Sequence, residues 1–321
     1  MERRPLGSSG FEVSRIGLGC MPMSWGYFGN ASERAASEDE PIRVIQRAID
    51  LGVNHFDTAD VYGPYTNEEL VGRALSGRRD EVVLATKVGV KVGPNGGYPL
   101  LRDGRPERIL AEVDGSLRRL GTDAIDLYYL HRIDEKVPFD DQWGAMASLV
   151  DAGKVRALGL SEASIEELER ARAIHPVAAL QSELSLWTRD PLDEVLPWCR
   201  DHGVAFVPFS PLGRGYLTGT LTGTSFEGLD FRATNPRFTP EALEANTAIV
   251  DVARRVGDRR GATPAQVALA WCLAQGDHVL PIPGTKRIRY VEENVAAASL
   301  ELTPQDLAEL DDVPQALGSR Y

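Results

Sequence analysis

The chain is poor in cysteine and in lysine, and it has no long apolar run. Its three cysteines, Cys20, Cys199 and Cys272, are odd in number and lack CxxC spacing. That argues against a disulfide framework and a cysteine zinc site, and fits a reduced compartment. No two histidines stand at metal-ligand spacing, so no metal is expected. No stretch approaches a membrane span, and the opening MERRPLGSSG has no apolar core of a secretion signal. Positive charge is also short: the formal net charge is −12 over 321 residues. Nucleic acid and anionic membrane are therefore poor partners, because binding phosphate needs a basic surface. There is no GxGxxG, so a dinucleotide held in Rossmann fashion is not expected. A soluble, cytoplasmic protein is the expectation. Monomer and homo-oligomer both stay open.

What is present is alternation. Short runs of Val, Ile, Leu and Ala at 15–20, 54–59, 82–87, 125–131, 155–161, 178–184, 205–210 and 279–284 read as strands. Nearly continuous apolar strands are buried on both faces, as in a parallel sheet. Between them lie segments of helical period at 41–52, 66–77, 106–121, 139–153, 164–174, 191–203, 239–257, 263–276 and 289–298. Pro at the first turn and Gly after the last mark several of their ends. Thr66 and Glu69 read as a capping box. Eight strands alternating with helices predict one α/β domain over 1–321, a (β/α)8 TIM barrel. An N-terminal β-hairpin is expected around SSG. A long Gly/Thr/Pro-rich loop, 213–240, falls between the seventh and eighth strands.

In such a barrel the active site lies at the C-terminal ends of the strands. Those ends deliver Gly19, Cys20 and Met21, then Asp57 with Tyr62 on the following loop, then Lys87, His131, Ser161, Gln181, Phe209 and Ser210, and last Gly284, Thr285 and Lys286. The set points to proton transfer. A free tyrosine, with a pKa of about 10, is a weak acid. A neighbouring ammonium favours its phenolate; Lys87 is placed to do this, with Asp57 as its ion-pair partner. His131 could orient a substrate oxygen while Tyr62 protonates it. The chain has five lysines against thirty arginines, so a lysine ending an apolar strand stands out. Taken singly, each of the four has an ordinary structural explanation. Four at the ends of adjacent strands favour a site. His55 is expected to point outward, with His175, His202 and His278 structural or at the surface.

At these residues the chain resembles the aldo-keto reductase superfamily over nearly its whole length. GVNHFDTADVYG followed by NEELVGRAL, then VLATK, IDLYYLH, LGLSE, LQSELSL, PFSPLGRGYLTG and PIPGTKRIRYVEENVAA, stand in that family's order. GLGCMPMS and DFRATNPRF look most like its bacterial and plant members. The resemblance implies carbonyl reduction with NADP(H), with Tyr62 as general acid assisted by Lys87, Asp57 and His131. It implies cofactor contacts from Gly19, Cys20, Met21 and Asp57, and from Ser161 and Gln181 to the nicotinamide carboxamide. Phe209 would stack on the ring. Ser210, Pro211, Leu212, Gly213 and Arg214 would lie along the pyrophosphate, with Arg232 reaching over it and Gly284 alongside. Many members have Asn where this chain has Glu162, which leaves that position's role open. Lys286, Arg287 and Arg289 form a basic cluster near a helix start, a seat for the 2′-phosphate with Lys286 foremost. Tyr290 lies beside it, and Glu293 and Asn294 match the adenine-binding pair.

Met21, Met23, Trp25, Tyr27, Phe28, Trp187 and Phe226 would form an apolar mouth, with substrate contacts from Trp25, Tyr62, His131 and Trp187. No pair of arginines placed for a substrate carboxylate is evident, so an aromatic or aliphatic aldehyde is expected, with a ketone or sugar-like carbonyl behind it. An alternative is an NADP(H)-binding regulatory subunit of the potassium-channel β type, which this chain resembles in part; His131 speaks against it, because those subunits commonly carry Asn there. A hydrolase using Asp57 and Glu183 would leave the Tyr–Lys pair and the basic cluster idle.

Overall fold

Alternation in the strands divides the core in two. The computed structural model describes residues 1–25, 39–93, 100–221, 226 and 230–320. The hairpin comes first: β1 (Arg3–Pro5) pairs antiparallel with β2 (Glu12–Ser14). Then come β3 (Leu18–Gly19), β4 (His55–Asp57) and β5 (Val83–Val88). A short antiparallel pair follows, β6 (Val90–Lys91) with β7 (Leu101–Arg102), which the sequence pattern does not announce. The barrel continues with β8 (Ile125–Leu130), β9 (Val155–Ser161), β10 (Ala179–Glu183) and β11 (Ala205–Phe209). The seven barrel strands are parallel and neighbour one another in chain order.

The eighth stave is 279–284. It bridges Phe206 to Val279 on one side and Gly19 to Gly284 on the other, both parallel. Backbone bonds from Gly17 N to Pro281 O (2.9 Å) and from Ile282 N to Pro208 O (3.0 Å) reinforce it. Pro281 and Pro283 have no N–H to donate, so the ladder is interrupted there.

Outward residues such as Phe56, Leu84, Tyr128, Leu158 and Leu180 pack under the helices. Inward residues such as Val83, Ala85, Leu127, Tyr129, Ala157 and Val207 fill the barrel. Leu6 and Val13 of the hairpin join that inner cluster and plug its floor. The plug sits close: at Gly7, φ +54°, a Cβ would fall 2.0 Å from Ala178 O. Inside, Gly159 makes room for Tyr129, whose ring would lie 2.5 Å from an added Cβ.

The helices are α1 (Asp39–Asp50), α2 (Thr66–Ala74), α3 (Pro106–Leu120), α4 (Phe139–Asp151), α5 (Ile165–Ile174), α6 (Val195–Asp201), α7 (Pro240–Arg260), α8 (Pro264–Ala274), α9 (Ile288–Ala296) and α10 (Pro304–Asp311). Three differ from expectation. The capping box at Thr66 is absent: Tyr65 precedes the helix at φ +65° without a side-chain cap, and Thr66 donates to Gly63 O instead. The segment 191–203 splits, with a 3₁₀ turn at Asp190–Leu192 before α6. Helix α10 was not expected, although Thr303 and Asp306 form a reciprocal cap and Leu307 and Leu310 pack inward. Its eight residues give too few turns for a clear period. The 213–240 loop carries 3₁₀ turns at Gly213–Thr218, Phe231–Thr234 and Pro236–Phe238. No helix among the described residues is long and apolar enough to cross a membrane.

Candidate active site

Asp57 and Lys87 occupy inward positions at the ends of neighbouring strands, and there they meet. Lys87 Nζ lies 2.5 Å from Asp57 Oδ1, 2.7 Å from Thr58 O and 3.3 Å from the Tyr62 hydroxyl. Gln181, from β10 across the barrel, donates its amide to Asp57 Oδ2 at 2.7 Å. Both oxygens of the carboxylate are thereby engaged. His131 follows β8, and its ring meets the Tyr62 ring edge-on at 5.9 Å. Lys87 is fully buried, whereas Tyr62 and His131 keep 8 and 9% exposure at the cavity wall.

Burial lowers the Lys87 pKa from its ordinary value, with Asp57 opposing. Burial, then the charges of Lys87 and Arg132, hold His131 well below the usual histidine range. It is therefore neutral at pH 7. Its Nδ1 is buried with no hydrogen-bond partner.

The loop carrying Tyr62 is tied down on both sides. Thr58 Oγ1 donates to Asn67 Oδ1 (2.6 Å), and Asn67 Nδ2 reaches Cys20 O (2.9 Å) and Ser24 Oγ (2.6 Å). Beneath it, buried Glu68 accepts from Thr86 and from Arg119, each at 2.7 Å. The side chain fixing the first turn of α2 is therefore Asn67, where sequence pattern pointed to Thr66.

A cavity of about 1040 Å³ opens above this group. Of the expected cofactor residues, Gly19, Met21, Asp57, Ser161, Gln181, Phe209, Ser210, Pro211, Leu212, Arg214, Arg232, Gly284, Lys286, Tyr290, Glu293 and Asn294 line it, as do Trp25, Tyr62 and His131 of the expected substrate residues. Cys20 and Gly213 are buried off the wall. Trp187 is also off the wall, because its ring is clamped behind Gly213 and stacked on Tyr216 at 4.9 Å. Met23 is buried in the outer core, and Phe226 packs edge-on against Phe238. Tyr27 and Phe28 lie outside the described residues.

Glu162 is turned away from the cavity. Its carboxylate accepts from Ser182 Oγ (2.7 Å) and Glu183 N (3.1 Å) and pairs with Arg320 near the C-terminus. Glu162, Ser210, Arg214 and Tyr65 are the four non-glycine residues at positive φ among those described. All four sit on loops leaving barrel strands, the rim where strain and function coincide. Residues on the wall that pattern reading passed over include Leu100, Phe231 and Arg132. Only Arg132 carried a signal, as a charged residue directly after a strand end.

His55 corrects an expectation. It stands two residues from Asp57, so it shares that inward face, and it is fully buried with neither ring nitrogen bonded. Burial lowers its pKa to about 4. Between that value and the unfolded pKa of about 6.5 the unfolded chain binds more protons, so stability falls as pH falls through this window. The loss from His55 is expected to be about 3 kcal/mol over the window. Urea unfolding of wild type and His55→Leu at pH 7 and pH 4.5 checks this: the pH-dependent loss should be smaller in the variant.

Comparison with known proteins identifies the family. The family model described as the Aldo/keto reductase family matches residues 15–314. The probable aldo-keto reductase 1 of Glycine max is 42% identical over 98% of this chain and 90% of its own. Glycerol dehydrogenase AKR11B4 from Gluconobacter oxydans superposes with a TM-score of 0.86 at 32% identity, covering 97% of this chain and 94% of that one. Aldo-keto reductase AKR11C1 from Bacillus halodurans, in its holo form, gives 0.77 at 29% identity over 100% and 98%. With its barrel and these matches, the chain belongs to the aldo/keto reductase family, oxidoreductases that generally use NAD(P)H on small carbonyl compounds.

Proposed function

We propose that the chain reduces aldehydes or ketones to alcohols with NADPH, and that Tyr62 is the general acid. The observation that carries this is the Lys87 ammonium held between the Asp57 carboxylate and the Tyr62 hydroxyl at the cavity floor. As Tyr62 gives its proton to the carbonyl oxygen, the ammonium stabilises the phenolate left behind. Asp57 and Thr58 O keep the ammonium in place, and Gln181 keeps Asp57 in place. Neutral His131 binds and orients the carbonyl oxygen without adding a second charge.

The residues present fit a nicotinamide. Ser161 Oγ accepts from Arg132 at 2.9 Å, which leaves its own proton to give. Gln181 gives an amide hydrogen to Asp57 and keeps its carbonyl oxygen to accept. One donor and one acceptor complement a carboxamide. When bound, the reduced nicotinamide supplies the hydride to the carbonyl carbon. Phe209 offers a flat ring on the same wall.

At the far end of the cavity, Lys286 and Arg287 before α9 and Arg289 in its first turn line the wall. Arg287 has no carboxylate within ion-pair distance among the described residues, although most arginines here have one. An uncompensated cation there favours NADPH over NADH. Arg287→Ala is expected to weaken NADPH binding by about tenfold, or about 1.4 kcal/mol, and to leave NADH binding unchanged, as read by titrating cofactor fluorescence.

The test of the whole reading is NADPH consumption by purified protein over a panel of aldehydes and ketones. Tight NADPH binding with no turnover on any of them would favour the regulatory alternative. No NADPH binding would overturn both.

A further inference from the structure

Arginines in this protein are mostly spoken for. On the cavity wall Arg232 pairs with Asp230, and Arg214 reaches Glu183 at 3.5 Å. Arg132 is different. It lines the catalytic end, directly after His131, and its Nη1 donates to His131 O (2.6 Å) and Ser161 Oγ (2.9 Å). Those two neutral acceptors are its only bonded partners among the described residues. Its Nε and Nη2 form no bond there, and neither is sealed from solvent.

The nearby carboxylates are committed elsewhere. Asp57 holds Lys87 and Gln181. Glu162 holds Arg320 and Ser182. Asp134, two residues along, accepts from the backbone of Lys136 and Gly104. So a guanidinium stands beside the reacting group with one edge open. Trp25, Met21, Leu100, Phe209 and Phe231 line the same cavity and carry no formal charge to compete for an anion.

The Nε/Nη2 edge is the planar fork that meets a carboxylate bidentately. We infer that Arg132 is a specificity-determining residue that binds a carboxylate carried by the substrate, so the favoured substrates are small aldehydes or ketones bearing an acid group. This rests on the reductase reading and narrows it from carbonyl compounds in general to oxo acids.

The experiment compares succinic semialdehyde with butanal, two aldehydes of equal carbon number that differ in one carboxylate. For wild type, Arg132→Met and Arg132→Lys, the ratio of kcat/KM for the acid to that for the neutral aldehyde is measured with NADPH. A ratio cancels any loss common to both substrates, including one transmitted through Ser161. The wild type should favour the acid. The ratio should fall by roughly tenfold or more in Arg132→Met, through KM, and be partly kept in Arg132→Lys. A ratio unchanged within about twofold would overturn the inference and leave Arg132 as a support for Ser161. Calorimetric titration of butanoate into protein with NADP+ needs no turnover. It should show binding in wild type and a matching loss in Arg132→Met, and equal binding by both would also overturn the inference. If neither aldehyde turns over in wild type, the reductase reading fails, and the butanoate titration still decides Arg132.

Discussion

Tyr62→Phe is expected to lower kcat by about three orders of magnitude while leaving NADPH affinity within about twofold. The substitution deletes one oxygen. Its ring contacts with Trp25 at 6.0 Å and His131 at 5.9 Å survive, so the cavity keeps its shape. What is lost is a proton donor held at 3.3 Å from the Lys87 ammonium. General acid catalysis by a positioned side chain contributes roughly 10²–10⁴ in rate, or about 3–5 kcal/mol at 1.36 kcal/mol per decade. Steady-state kinetics beside a fluorescence titration of NADPH check both halves. A variant that keeps its turnover would remove Tyr62 from the acid role. One that loses NADPH binding as well would show the hydroxyl to be a structural support.

Lys87→Met should damage stability as well as rate. Both partners of the Lys87–Asp57 pair are buried, at 0 and 4% side-chain exposure. Removing the cation leaves a buried carboxylate with one neutral donor, Gln181. Breaking a buried pair from one side costs about 3–5 kcal/mol, and kcat should fall with it because the phenolate of Tyr62 loses its counter-charge. The sign of the pH dependence is specific. Without Lys87, Asp57 is expected to take up a proton more readily when folded than when unfolded. The folded variant then binds the extra proton at low pH, so its deficit against wild type shrinks as pH drops from 7 towards 5. Denaturant unfolding at the two pH values reads this directly. Asp57→Asn added to Lys87→Met should recover part of the lost stability and none of the rate.

Much of this site was legible because a strand alternates its side chains. Once the strand ends were located, Asp57, Lys87, His131, Ser161 and Gln181 followed as inward positions, and the structure places all of them at one end of the barrel. The same parity was misapplied to His55, which is two residues from Asp57 and shares its face. What pattern could not show was anything set by distant packing. Trp187 faces away from the cavity because a loop from beyond β11 lies over it. Glu162 faces away because an arginine 158 residues further along captures it. Arg132 was readable as a charge, but its open edge became visible only when every neighbouring carboxylate had been assigned a partner. The eighth stave was found from its apolar run, though its two prolines make it the weakest strand of the set.

Those prolines have a kinetic consequence. The stave at 279–284 joins β3, so the first and last segments of the barrel meet along the most sparsely bonded line in the wall. Contacts so far apart in sequence carry a large loop-closure entropy and form late in folding. The same line has little backbone bonding to resist local opening of the folded barrel. Gly19 and Gly284 face each other across it and both line the cavity. A cofactor lodged there would bridge the two edges, so that occupancy closes the cylinder as a clasp closes a bracelet.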